Sequence, residues 1–285
     1  MKTATFSSRG ASLRIRILAL SLGIALAGLY SKAEAISVDS EIVLLVDVTD
    51  AGLNKHDFRD VMNGYAAAMT SSQVLDSIAS GSTGRIAVSL VFYGNSTTQS
   101  VGIPWMMISN VAEARQFATI AQNLARPLSI ASPSLAAVID LATNHFGTET
   151  GGSSNGYESA VQILEVAAAS TPTNPAAVKQ ARDEALASGV DVINAVAIGN
   201  NTKTIQSFFQ TNVVGGELAG HAGSTTTTKL NSLDLFLASN LGKSIQDGGT
   251  VSTSVPEPSS ALLMSCAGFL LLRRRRAGAS NTAGA

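Results

Sequence analysis

The chain has 285 residues, 45% hydrophobic and 14% charged, against roughly a quarter charged in ordinary globular proteins, which excludes an intrinsically disordered chain. Residues 36–253 hold 10 Lys/Arg against 18 Asp/Glu, a net charge of −8 with no basic run, so nucleic acid is excluded as a partner. The only cysteine, Cys266, excludes an internal disulfide framework and a thiolate metal cluster.

Residues 1–35 read as a secretory signal peptide. Basic residues as far as Arg16 precede an apolar run over 17–30, and Ala33 and Ala35 put small side chains where signal peptidase cuts. The run is about 14 residues, short of the roughly 20 that a spanning helix needs.

Residues 36–247 read as one domain. The apolar run 41–46, ending in Asp47, has the pattern of a strand buried on both faces of a parallel sheet. Phe58, Val61, Met62, Tyr65 and Met69 follow at helical spacing. Residues 85–93 and 101–108 read as a hairpin, and Pro104 assigns its second strand to a sheet edge. Helices are expected over 111–124 and 135–146, core strands at 161–166 and 190–198, and between those strands a helix over 175–187 ended by Gly189. A last helix over 229–245 lines up Leu230, Leu233, Leu237, Leu241 and Ile245. The expected fold class is α/β, a doubly wound and mostly parallel sheet with one antiparallel edge strand and helices on both faces.

Residues 248–254 read as a flexible linker. In 255–285, Pro256, Glu257 and Pro258 precede a short hydrophobic segment and then Arg273, Arg274, Arg275 and Arg276. This order resembles the PEP-CTERM sorting signal of bacterial surface proteins. The resemblance implies transient membrane insertion of this segment, processing by an exosortase-type enzyme, and delivery to the cell envelope or extracellular matrix of a Gram-negative-type bacterium.

The segments EIVLLVDVTDAG, FRDVMNGYAAAM, GRIAVSLVFYGN, SLAAVIDLA, ARDEALASGVDVINAVAIGN and FFQTNVVGG, in that order, resemble the von Willebrand factor A domain, in particular an uncharacterised bacterial secreted branch. The resemblance implies a Mg²⁺ site at the carboxyl end of the sheet, built from an Asp-x-Ser-x-Ser turn, a Thr from a second loop and an Asp from a third. Asp47 matches the first ligand and Thr49 replaces the first Ser, but Ala51 stands at the second Ser. Ser132 and Ser134 flank the second-loop position, and the third-loop acid falls near Ala169. The site therefore reads as degenerate, with no cofactor or at most a weakly held Mg²⁺; Asp50 and Glu165 are the carboxylates nearby in sequence that would compensate.

There is no nucleophile elbow and no phosphate loop, and His56, His145 and His221 read as surface or packing residues. The chain therefore reads as a non-enzymatic, secreted adhesion or matrix protein that binds an unidentified protein or polysaccharide. The alternatives are a cation-dependent adhesion module using Asp47 and Thr49, and a secreted hydrolase.

Overall fold

The structure is a computed structural model that describes residues 34–250 except 51, 96, 128–132 and 200. Ala33, Ser132 and the whole of 255–285, with Pro256, Glu257, Pro258 and the four arginines, lie outside the described residues. Among the described residues no helix is long and apolar enough to cross a membrane.

A two-residue strand, β1 (Ile36–Ser37), leads into β2 (Ser40–Asp47), all eight residues of which are buried. A strand buried on both faces belongs at the centre of a sheet. β2 lies parallel to β3 (Ile86–Tyr93) on one side and to β6 (Gln162–Ala168) on the other. Beyond β3 runs β4 (Gln99–Ile108), antiparallel and at the edge, with Pro104 exposed. Beyond β6 runs β7 (Val192–Ile198), parallel to it. A separate pair joins β1 to β5 (Tyr157–Glu158).

The expected fold class is present, and the far edge carries more than the sequence suggested. There β7 pairs antiparallel with β8 (Gly215–Leu218), which turns into β9 (His221–Ala222), while β10 (Thr225–Thr228) pairs parallel with the second half of β7. These strands are short and rich in Gly and Thr, so they lack the apolar runs by which the central strands are recognised.

Alternate residues of β2 face opposite ways. Ile42, Leu44 and Val46 enter one apolar core with α1 (Lys55–Met69), α2 (Ser72–Ala79), α3 (Val111–Asn123) and α7 (Leu233–Gly249). Val43 and Leu45 enter the other with α4 (Leu135–His145), α5 (Pro175–Ala187) and α6 (Thr202–Asn212). α1 begins at Asn54, whose side chain accepts from the His56 and Asp57 amides. α5 has Pro175 in its first turn and ends before Gly189, at φ +117°. α7 runs to Gly249, two residues into the expected linker. From β2 the chain moves outward to β3 and then returns to β6 on the other side, so the strand order reverses between β2 and β6. Their carboxyl ends, at Asp47 and Ala168, flank the crevice where open α/β sheets bind ligands.

Candidate functional site

Asp47 ends β2 and has no exposed surface. Its Oδ1 accepts from the Thr49 amide at 2.9 Å and from Thr49 Oγ1 at 2.7 Å. Its Oδ2 accepts from Ser170 Oγ, 2.6 Å away at the mouth of the loop after β6. The two hydroxyls lie 3.3 Å apart. Burial pushes the Asp47 carboxyl above its ordinary range, against the pull of the hydrogen bonds from Ser170, Thr49 and the Ala169 amide.

These atoms do not fit a divalent ion held in the manner that the resemblance implies. Both carboxylate oxygens already accept hydrogen bonds within the protein, and the third-loop position is the methyl group of Ala169 rather than a carboxylate. Gly52 also approaches closely: a Cβ placed on it would stand 3.1 Å from Ala169 and 3.2 Å from Asp47 Oδ2. Mg²⁺ demands near-octahedral oxygen coordination, and the described groups around Asp47 supply fewer oxygen ligands than that. The carboxylate ties the first loop to the third.

Ser134 of the second loop does not join this cluster through its side chain. The Ser134 amide donates to the Gly94 carbonyl at 2.7 Å, which brings the loop to the same end of the sheet. Its hydroxyl makes no hydrogen bond among the described residues and lines a cleft of about 240 Å³ with Asn95 and Asn174, to which Asp47 does not contribute. Of the described members of the expected ligand set, Asp47, Thr49 and Ser134, only Asp47 and Thr49 are in contact. Ser170 was missed because an acid was sought one position earlier.

Neither compensating carboxylate reaches Asp47. Asp50 is half exposed and pairs with Arg126 at 2.5 Å. Glu165 lies on the opposite sheet face, where Oε1 accepts from Asn194 at 2.9 Å and Ser244 at 2.9 Å, and Oε2 accepts from Asn240 at 3.1 Å. Burial raises its pKa to about 7 despite these donors.

The histidines are dispersed. His56 lies 3.3 Å from Asp60 on the exposed side of α1, and His221 lies 3.1 Å from Asp247. His145 stacks on Trp105, with ring centroids 5.1 Å apart, and contacts Ser89 Oγ at 2.9 Å.

A family model described as protein of unknown function (DUF1194) matches residues 37–223, which include Asp47, Thr49, Ser134 and Ser170. The chain belongs to this family. No curated protein matches the chain. Among solved structures, the von Willebrand factor domain of the type V pili tip protein Mfa5 from Porphyromonas gingivalis is similar at a TM-score of 0.51 and 10% identity, covering 78% of this chain and 100% of that one. Proximal thread matrix protein 1 from the mussel byssus is similar at a TM-score of 0.51 and 14% identity, covering 75% of this chain. The matched region spans half the length of the mussel protein. At such identities the likeness concerns the fold, so this DUF1194 member has a von Willebrand A-like fold.

Proposed function

We propose that this chain is an exported, non-enzymatic binding module of the bacterial envelope or extracellular matrix, and that it works without a divalent cation. The signal-peptide pattern ending at Ala35 and the Pro256-Glu257-Pro258 segment with its arginine cluster support export and exosortase-type processing. The observation that carries the metal-free reading is the Asp47 carboxylate, buried and hydrogen-bonded to Thr49 and Ser170 on its two oxygens. Recognition then falls to the surface loops and helices around the carboxyl end of the sheet. The similarity in fold to a pilus tip domain supports an adhesive role.

Two measurements test this reading. Mass spectrometry of the exported protein should place its first residue at Ile36 and show the arginine cluster removed; an intact 285-residue chain would contradict export by these signals. Thermal unfolding should have the same midpoint in EDTA and in millimolar Mg²⁺; a midpoint raised by Mg²⁺ would contradict the metal-free reading.

A further inference from the structure

A cavity of about 620 Å³ forms an open groove between α1 and the end of α3. Lys55 and Arg59 line one wall and Arg126 the other, and no carboxylate lines it. Three of the ten basic residues of 36–253 thus converge on one groove of a region whose net charge is −8.

Their placement runs against local stability. Lys55 opens α1, where the helix dipole disfavours a cation, and Arg59 follows at i+4, where like charges repel. Neither has an acidic partner among the described residues. Arg126 is only 15% exposed and held in place: Nη2 donates to the Val48 carbonyl at 2.8 Å and to Asp50 at 2.5 Å, while its buried Nε has no acceptor. A positive wall that costs local stability, with one member fixed against the loop after β2, is what an anionic ligand would offset.

The remaining lining specifies the ligand further. Asn63, one turn beyond Arg59, and Gln122 present amides that both donate and accept, as hydroxyl recognition requires. Phe58, Met62 and Leu124 supply an apolar base for the C–H face of a ring. The walls are α1 on one side and the end of α3 with the coil residues 124–127 on the other, with no strand among them, so an extended acidic peptide would find no strand edge to pair with. We infer that this groove binds an acidic oligosaccharide, with carboxylates against Lys55, Arg59 and Arg126 and hydroxyls against Asn63 and Gln122. The inference rests on the reading of the domain as a binding module and gives it a ligand class.

Calorimetric titration of the purified protein with tetragalacturonate, neutral cellotetraose and a short polyglutamate tests it. The uronate should bind saturably, with a dissociation constant below about 1 mM and at least about tenfold tighter than either comparison ligand. The Lys55→Ala, Arg59→Ala double variant, altered only at exposed positions, should lose at least about tenfold in affinity with a melting temperature no lower than the parent's. Absence of uronate binding, equal binding of the neutral sugar or polyglutamate, or full affinity in the folded double variant would each overturn the assignment. These outcomes leave the EDTA comparison untouched, so the groove and the metal-free reading fail separately.

Discussion

Ser170 Oγ donates to Asp47 Oδ2 across 2.6 Å of space and 123 positions of sequence, joining the carboxyl ends of β2 and β6 with a hydrogen bond at the place where the sequence resemblance implies an ion. Asp47 itself has no exposed surface, while Ser170 is half-buried. A buried carboxylate deprived of a donor bears a desolvation cost that nothing offsets.

Ser170→Ala should therefore destabilise the domain by about 1–3 kcal/mol. Thr49→Val, which keeps the shape and removes the other hydroxyl, should cost a similar amount, whereas Thr49→Ser should cost much less. Urea unfolding checks the series; a Ser170→Ala variant as stable as the parent would show that the bond holds nothing together.

Stability should fall as the medium becomes alkaline. Burial raises Glu165 and Glu41 to about 7 from an unfolded value near 4.5. A carboxyl with a raised folded pKa contributes its full stability below the unfolded value and loses it as pH rises through the folded one. The window is about pH 4.5 to 7, and the combined loss is on the order of a few kcal/mol. Asp39 works in the opposite sense at lower pH. Burial pushes it up, but donors from Thr83, Ser82 and Arg85 together hold it below its ordinary value, so its contribution is lost on acidification. Chemical denaturation at pH 5.5 and 8 should show the protein weaker at pH 8, and Glu165→Gln should flatten that slope.

Trp105 is the only tryptophan, and it stacks on His145 at an interplanar angle of 20°. Its Nε1 donates to the His145 carbonyl at 3.0 Å, so the two move together. Burial holds the His145 pKa below 6.5. Native-state tryptophan fluorescence should be quenched on acidification with a midpoint below pH 6.5, and His145→Phe should abolish the titration. A midpoint at or above 6.5 would mean that burial does not disfavour the charged ring.

The central fold was legible because buried strands carry their burial in composition: 42–46 is an unbroken apolar run, and β3 and β7 are nearly so. α6 was not, since only Ile205 and Phe209 of its eleven residues are buried and the rest read as a polar loop. α2 is eight residues with two buried positions, too short for a periodic signal. At the candidate site, Asp47 and Thr49 were legible from the strand end and its turn. Ser170 was not, because a search for an acidic metal ligand passes over a hydroxyl, and its role appears only once β6 is placed beside β2. The groove at Lys55, Arg59 and Arg126 combines residues more than sixty positions apart and needed the packing of α1 against α3.

The most direct test of the account is isothermal titration of the purified protein with Mg²⁺, Mn²⁺ and Ca²⁺, alongside Asp47→Asn. The hydrogen-bonded carboxylate predicts no saturable heat for any of the three ions at several millimolar, in either protein. Saturable binding with a dissociation constant at or below about 1 mM, present in the parent and absent in Asp47→Asn, would contradict it and restore a cation to the crevice.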